Sequence, residues 1–227
     1  FYGTIRPKRS TRSGERPLHA LRERGVEYVE VRLMDVDPFD PLGISACTMR
    51  MLDVFLLHCL YTESSNDSEQ EIDEIKRNQH LVAERGREPG LMLQRGGEAV
   101  ALSTWAQQVL DECVPFAAAL DAAHGTIAYS EAVALAAQRV AQPQTTPSAQ
   151  VLERMRRLHG DSFEQFGLTQ SLWVREQLLS LPWTDEQQAK FAQMAAQSVQ
   201  DQQAIEAADT GTFEEWRLRY MDPAALG

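Results

Sequence analysis

The sequence predicts an α+β protein that is mostly helical, with a small sheet element near its N-terminus. One early stretch alternates apolar and polar residues with the period of a strand. From Ser103 onward, apolar residues recur with helical spacing between well-marked breaks. Aromatic residues make up only 7% of the chain, whereas alanine and glutamine are abundant toward the C-terminus, which favours helix. We therefore expect a sheet-forming region at 1–44 and a helical region at 45–227.

The alternating stretch runs from Val26 to Met34. Three apolar side chains point to one side of this predicted strand and three polar ones to the other: Val29, Val31 and Leu33 against Tyr28, Glu30 and Arg32. Same-face neighbours on a strand lie roughly 7 Å apart, so one ligand could contact both Glu30 and Arg32. A carboxylate that binds a metal and an arginine that binds a phosphate would suit nucleotide chemistry. A surface ion pair on a half-buried strand is the alternative, and the local pattern leaves both open.

The elements around this strand follow from local chemistry. Residues 1–5 read as a short strand, and 6–14 lack apolar periodicity, which predicts an exposed loop. A short helix is predicted over 17–24, ending at Gly25. Two prolines within 37–43 end the predicted strand at 26–34, because proline has no backbone N–H to donate to a β-ladder.

The rest of the chain is predicted to be helical apart from a brief extended segment at 91–93. Ser45 begins a helix to about Tyr61 that has little polar face, which predicts burial, and His58 within it is predicted to be a hydrogen-bonded core histidine. A more polar helix follows over 69–86. The other predicted helices are 103–123, 129–141, 147–158, 162–180, 184–207 and 212–220. Thr184 with Gln187 has the chemistry of a capping box at the start of the helix predicted at 184–207. The apolar stripe of that helix is narrow, so we expect the helix to lie on the surface of other helices.

Charge is distributed unevenly along the chain. The net charge of −11 argues against a general nucleic-acid binder, because attraction to phosphates needs a basic surface. Residues 1–25 nevertheless hold seven basic and two acidic side chains, which suggests one local anionic ligand. The loop 6–12 could be a nucleic-acid patch or a phosphate-facing loop beside Glu30 and Arg32. The acidic remainder and the lack of interleaved aromatic residues argue against the first, although periodicity alone leaves both open.

Several site classes are disfavoured by residue spacing. The three cysteines are an odd number without zinc spacing, so we expect a reducing, cytoplasmic location. The most apolar segment, 46–61, contains Arg50, Asp53 and His58 and is too short to span a bilayer, so no membrane partner is expected. Three aspartates lack the glycine and the glutamate of a calcium loop, and Asp-Pro turns explain them better: Asp35, Asp37 and Asp40.

A series of motifs points to one family. The first 44 residues contain Tyr2-Gly3-Thr4-Ile5-Arg6-Pro7-Lys8-Arg9, Gly25-Val26-Glu27-Tyr28-Val29-Glu30-Val31-Arg32, and Asp37-Pro38-Phe39 with Pro41-Leu42-Gly43-Ile44. Shorter motifs follow at Leu52-Asp53-Val54-Phe55, Asn78, Gly86-Arg87-Glu88-Pro89-Gly90, and Glu206-Ala207-Ala208-Asp209-Thr210 with Phe213 and Trp216. In this order they resemble the proteobacterial type of glutamate–cysteine ligase, also called γ-glutamylcysteine synthetase.

The resemblance implies an ATP-dependent ligase of glutathione biosynthesis. Such an enzyme joins the γ-carboxylate of L-glutamate to the amine of L-cysteine through γ-glutamyl phosphate, with ATP as co-substrate and Mg²⁺ as cofactor. The implied fold is similar to glutamine synthetase, so that the N-terminal region would be part of a larger antiparallel sheet. Glu30 matches a magnesium ligand, Arg32 an arginine directed at the transferred phosphate, and Tyr2 a tyrosine of the cysteine pocket. Arg6, Lys8 and Arg9 match a basic run, for which stabilising the loop and attracting ATP both stay open.

The length of the chain departs from the family. Its ligases are roughly twice as long, and the N-terminal half that carries their other metal-binding carboxylates is not in this sequence. The chain opens on Phe1 inside a strand-like segment, so we expect a piece of a longer protein whose partner is the missing N-terminal half. We expect no ligase activity from the piece alone. The alternative is a non-catalytic helical interaction protein that retains the family scaffold.

Overall fold

A computed structural model describes residues 4–12, 14–64 and 66–222 of the chain. It is 66% helical and holds two small antiparallel sheets, which confirms the predicted α+β class. In chain order the elements are β1 (Ile5–Lys8), α1 (Pro17–Arg24), β2 (Tyr28–Val31), α2 (Ala46–Tyr61), α3 (Glu69–Arg85), β3 (Met92–Arg95), β4 (Glu98–Ala101), α4 (Leu102–His124), α5 (Ala128–Ala141), a 3₁₀ turn (Pro143–Thr145), α6 (Pro147–Leu158), α7 (Phe163–Leu179), α8 (Asp185–Ala208) and α9 (Phe213–Met221).

The chain divides into two compact units. One comprises Phe1–Asp35 with Leu181–Gly227, and the other comprises Val36–Ser180. The first unit therefore contains both the β1–β2 hairpin and the last two helices. The predicted division into a sheet-forming region at 1–44 and a helical region at 45–227 stays a prediction.

The first hairpin pairs β1 with β2 in antiparallel register. Arg6 lies opposite Glu30 and Pro7 opposite Val29. The predicted exposed loop over 6–14 is therefore wrong at its start, where 6–8 are in β1 and pair along β2. Pro7 is tolerated because β1 is an edge strand, where a missing N–H need not break the ladder. The strand β2 itself is shorter than the alternating pattern suggested, spanning only Tyr28–Val31.

Helix α1 follows the sequence prediction to the residue. It starts at Pro17, a residue suited to the first helical turn, and ends before Gly25. Gly25 has a φ of 71° and donates its backbone N–H to the carbonyl of Leu21. Glycine adopts this left-handed conformation without the steric penalty of a Cβ, so the chain turns sharply from α1 into β2.

The core of the second unit is built by α2, α4 and α5. Five buried side chains form it: Val54, Leu110, Cys113, Ala117 and Val133. The predicted burial of α2 is wrong for much of the helix, because only Val54 and His58 are buried, whereas Leu60 and Tyr61 are exposed. The described elements cover one face of α2 only. His58 is a core histidine as predicted, with its Nε2 atom 2.9 Å from a carboxylate oxygen of Glu112.

The second hairpin, β3–β4, is held by α3. Its turn consists of Gly96 and Gly97, both with positive φ, which suits the twist of a two-residue hairpin. The buried carboxylate of Glu74 accepts hydrogen bonds from the backbone N–H groups of both glycines, at 2.8 and 2.9 Å. Asn78 donates to the carbonyl of Gln94 at 2.6 Å and accepts from its N–H at 2.9 Å. Two side chains of one helix thus fix the hairpin.

Helix α8 carries the predicted capping box between Thr184 and Gln187. None of its described residues is buried, so the expectation that its apolar stripe packs on other helices is not met within the described residues. A second capping box, between Thr212 and Glu215, opens α9. The aspartates after β2 form Asx turns, as expected: Asp37 accepts from the N–H of Phe39, and Asp40 from that of Leu42.

The described part of the chain holds no helix long and apolar enough to cross a membrane. All three cysteines are free thiols: Cys47, Cys59 and Cys113. Burial raises the pKa of the Cys113 thiol, which lies in the core of the second unit.

Candidate functional site

The β1–β2 hairpin separates its side chains into a charged face and an apolar face. Residues opposite each other in an antiparallel pair point to the same side. The register therefore places Arg6, Lys8, Tyr28 and Glu30 on one face, and alternation adds Arg32 just beyond the strand. The other face carries four apolar residues: Ile5, Pro7, Val29 and Val31. The sequence predicted this separation for β2, and pairing extends it to β1.

Glu30 lies between two cations on the charged face. The Nη2 atom of Arg32 donates to Oε1 of Glu30 at 2.6 Å, and Nζ of Lys8 lies 3.3 Å from Oε2. The hydrogen bond from Arg32, together with the charge of Lys8, holds the pKa of Glu30 below its usual range. In turn, Glu30 raises the pKa of Arg32. The predicted juxtaposition of Glu30 and Arg32 is therefore present as a direct ion pair.

The two oxygens of Glu30 are not equivalent. Oε1 is hydrogen-bonded to Arg32, whereas Oε2 is buried and accepts no hydrogen bond, because the ammonium of Lys8 is near it but not aligned for one. An ionised oxygen in this state retains lone pairs for a cation, so Glu30 fits the role of one ligand to a metal. Within 4–12, 14–64 and 66–222, no group of three or more acidic, histidine or cysteine side chains could hold a metal ion. Glu30 could therefore contribute one ligand only.

The loop after β1 is fixed by acidic side chains. The guanidinium of Arg24 donates to both oxygens of Glu15, at 2.6 and 2.7 Å, and also to the carbonyl of Ser10 at 3.1 Å. This pairing with Arg24 lowers the pKa of Glu15 from 4.5 to about 2. Glu27 accepts from the N–H of Ser10 at 2.8 Å and lies 3.7 Å from Arg9. The described residues of this loop are therefore held by specific contacts, although the sequence suggested only exposure.

The predicted site residues have different outcomes. Glu30 and Arg32 lie together, as described above, while Tyr2 lies outside the described residues. One of the two predictions for the loop 6–12 placed it beside Glu30 and Arg32, but the direct contact of Lys8 with Glu30 was not predicted, nor was the clamp made by Glu15 and Arg24. For Lys8 a signal existed, since it would share the face of Glu30 if β1 extended to residue 8. The clamp joins residues nine apart across a helix, and no local pattern indicates such a contact.

Comparison with known proteins gives a consistent result. The family model described as glutamate-cysteine ligase matches residues 1–82. The chain is 43% identical over 221 residues to the glutamate–cysteine ligase of Azotobacter vinelandii, covering 97% of this chain and 42% of that protein. It is also 43% identical over 214 residues to that of Pseudomonas fluorescens (strain Pf0-1), covering 94% of this chain and 40% of that protein. The chain thus spans about two fifths of the length of these relatives.

Solved structures agree with the sequence comparison. The crystal structure of glutamate–cysteine ligase from Francisella tularensis in complex with AMP superposes with a TM-score of 0.87 and 34% identity, covering 97% of this chain and 43% of that one. A bifunctional glutathione synthetase from Pasteurella multocida superposes with a TM-score of 0.58 over 78% of this chain and 21% of that one. At 21% identity, this second likeness supports the fold alone.

Proposed function

We propose that this chain forms part of an ATP-dependent ligase of glutathione biosynthesis, because it is similar to named glutamate–cysteine ligases over nearly its whole length. The reaction transfers the γ-phosphoryl group of ATP to the γ-carboxylate of L-glutamate, which leaves ADP and an acyl phosphate. The amine of L-cysteine then attacks the acyl carbon, loses a proton and expels phosphate. The 43% identity to a named ligase across 97% of the chain is the observation that carries this proposal.

Arg32 is the proposed catalytic residue. Phosphoryl transfer spreads negative charge over the moving group, and a guanidinium held near that group stabilises the charge. Arg32 follows β2 directly and is oriented by its hydrogen bond to Glu30, so its position is set before any ligand arrives. The AMP bound to the Francisella tularensis ligase supports a nucleotide as the source of the phosphate.

Glu30 is the proposed metal ligand on this chain. Magnesium, when bound, neutralises the phosphate oxygens, and Glu30 would hold it through Oε2, the oxygen without a hydrogen bond. The other ligands would be phosphate oxygens, water or protein groups outside the described residues, because those residues hold no group of three or more candidate ligands. Tyr2 remains the proposed contact to the cysteine substrate, on the resemblance alone.

The apolar face of the first hairpin supports the proposal that another part of the ligase packs against this chain. Ile5 is 48% exposed and Val29 44% exposed, although alternation gives both the pattern of core residues. A two-stranded hairpin is marginally stable in water without a packed face. We propose that the part of the ligase not spanned by this chain, expected to be its N-terminal half, covers this face and completes the active site. The chain alone is then inactive.

A second candidate function has one observation in its favour. Helix α8 spans 24 residues, none of them buried, and it exposes Phe191, Met194 and Ile205. An unpacked apolar stripe of this kind is typical of a surface that binds another protein. A non-catalytic interaction protein that retains the ligase scaffold would use this stripe and would not need Arg32.

An exchange experiment tests the proposal. The matching 221-residue segment of the Azotobacter vinelandii ligase is replaced by this chain, and we call the product the completed ligase. Phosphate release that depends on ATP, glutamate and cysteine is measured for it and for the isolated chain. We expect turnover from the completed ligase and none from the isolated chain. A folded but inactive completed ligase would favour the interaction protein, and turnover by the isolated chain would contradict the need for a second part.

A further inference from the structure

The two cations beside Glu30 bind it in different ways. Arg32 forms a short hydrogen bond of 2.6 Å to Oε1, which aligns the carboxylate. Lys8 lies 3.3 Å from Oε2 without hydrogen-bond geometry, and its side chain is about one third exposed. Partly exposed ion pairs contribute little net stability, so the contact of Lys8 can be exchanged at low cost. The contact of Arg32 is the stronger of the two because it is a short, charge-assisted hydrogen bond.

Lysine also has the chemistry for such an exchange. Its ammonium is a compact point charge on a flexible four-carbon chain, whereas the guanidinium of arginine is a rigid planar group. In β1, the backbone of Lys8 is fixed opposite Tyr28, so only the side chain needs to move. The neighbouring basic residues Arg9 and Arg24 are engaged by Glu27 and Glu15 instead. Lys8 lies beside Oε2, the oxygen of Glu30 most suited to a metal.

We propose that Lys8 is an exchangeable counter-ion, which pairs with Glu30 as in this structure and pairs with nucleotide phosphate when a divalent cation binds Oε2. This inference rests on the proposed function, since it needs a metal and a polyphosphate at this face. A divalent cation on Oε2 would repel the ammonium of Lys8, because two like charges at that distance interact unfavourably. Phosphate oxygens within reach of the displaced ammonium relieve this repulsion. Binding of the metal and of the nucleotide is then coupled through Lys8.

Coupling of this kind is reciprocal. If Lys8 opposes the metal in the absence of nucleotide and binds the nucleotide in the presence of metal, each ligand strengthens the other by the same factor. Replacing the ammonium with a neutral side chain of similar length removes both effects. Metal alone should then bind more tightly and nucleotide should bind more weakly. A residue that only stabilised the hairpin would change neither affinity in this opposed way.

The test measures binding and not only turnover. In the completed ligase, Mn²⁺ affinity is measured by electron paramagnetic resonance without nucleotide, and the affinity for a non-hydrolysable ATP analogue is measured by calorimetry at saturating Mn²⁺. For Lys8→Met, we expect Mn²⁺ alone to bind about three- to tenfold more tightly and the analogue to bind about tenfold more weakly. Lys8→Arg keeps the charge and should restore most of the nucleotide affinity. Lys76→Met is the matched control, because Lys76 pairs with Asp73 at 3.7 Å on the exposed surface of α3.

The possible results distinguish failure of the Lys8 exchange from failure of the proposed ligase function. If the unmodified completed ligase binds the Mn²⁺–nucleotide pair and Lys8→Met changes neither affinity, Lys8 is a structural partner of Glu30 and the inference is wrong, while the proposed function stands. If both affinities fall together, Lys8 only positions Glu30, and the exchange is again wrong. If the unmodified protein binds no nucleotide, the proposed function fails and the inference fails with it. Circular dichroism of Lys8→Met confirms that each comparison uses folded protein.

Discussion

The described part of the chain contains two hairpins of equal size that differ in how their polar groups are used. Both consist of two antiparallel strands of four residues. In β3–β4, Leu93 is only 4% exposed, and side chains of α3 hydrogen-bond to the hairpin backbone. In β1–β2, the charged side chains pair mainly with one another, and the apolar face is exposed.

This difference separates structural polar groups from groups available to a ligand. Glu74 and Asn78 satisfy backbone N–H and carbonyl groups that would otherwise be buried without partners. Exchanging them for a ligand would leave those backbone groups unpaired. Glu30, Lys8 and Arg32 instead pair with one another at a partly exposed surface, so a ligand could replace the contact of Lys8 without leaving a backbone group unpaired. The first hairpin therefore has polar groups that a ligand could contact, as the proposed function requires, whereas the polar groups around the second hairpin stabilise its backbone.

The largest effect is expected from Arg32→Ala in the completed ligase. Loss of a guanidinium that stabilises the transferred phosphate should lower kcat by about 10²–10³-fold. Arg95→Ala is the matched control on β3, where the guanidinium lies 5.1 Å from the ring centre of Trp105. Steady-state phosphate release measures both. Equal losses in the two variants would contradict the contrast between the hairpins.

Asn78→Ala should have the largest effect on stability. It leaves the N–H and the carbonyl of Gln94 without their partner, which should lower the free energy of unfolding by about 2–3 kcal/mol. Arg32→Ala should change it by less than about 1 kcal/mol, because the lost ion pair is partly exposed. Urea denaturation of the isolated chain compares the two variants. A larger loss for Arg32→Ala would reverse the assignment of the hairpins.

Glu30→Gln is expected to change the magnesium requirement. The amide keeps the size of the side chain but loses the charge that attracts the cation, so the Mg²⁺ concentration for half-maximal rate should rise about tenfold. Glu74→Gln offers the control on the second hairpin, where the carboxylate binds backbone N–H groups. A magnesium titration of the completed ligase measures this requirement. An unchanged value for Glu30→Gln would remove it as a metal ligand.

The smallest effect concerns the loop after β1 and its dependence on pH. Because Arg24 lowers the pKa of Glu15 to about 2, the stabilisation from this pair is complete above about pH 4.5 and is lost as the pH falls toward 2. Glu15→Gln lacks the titrating group, so its difference in unfolding free energy from the unmodified chain should shrink over this range. Urea denaturation at pH 7, 4 and 2 measures this difference. A difference that stays constant with pH would show that the charge of Glu15 does not stabilise the loop.

The sequence predicted the bounds of the helices better than their burial. Period and punctuation placed α1 at its observed bounds and α8 to within a residue at each end, because caps and glycine stops are local. Strand β4 was missed, although Gly96-Gly97 between two short segments is a hairpin signal. The burial of α2 was predicted wrongly, because the apolar composition of a helix does not determine which other elements pack against it.

The candidate site was predicted in the same uneven way. Alternation placed Glu30 and Arg32 on one face, because the direction of side chains along a strand is local. The contact of Lys8 with Glu30 depends on the register between two strands, and the clamp of Glu15 with Arg24 depends on the path of a loop. Alternation in β1 is not enough to predict the first contact without the register, and no local spacing indicates the second. The roles of Glu30 and Arg32 in catalysis came from the resemblance and stay proposals.

The exposed apolar face of β1–β2 also affects how the isolated chain behaves in solution. In the part of the chain that the structure describes, each strand of this hairpin pairs only with the other, so both outer edges offer unpaired backbone groups beside Ile5 and Val29. The net charge of −11 keeps copies apart at low ionic strength. Salt at about 0.1 M screens charges beyond roughly 10 Å and weakens that protection. Purified chain should therefore remain dispersed in dilute buffer and self-associate through this hairpin as salt and concentration rise.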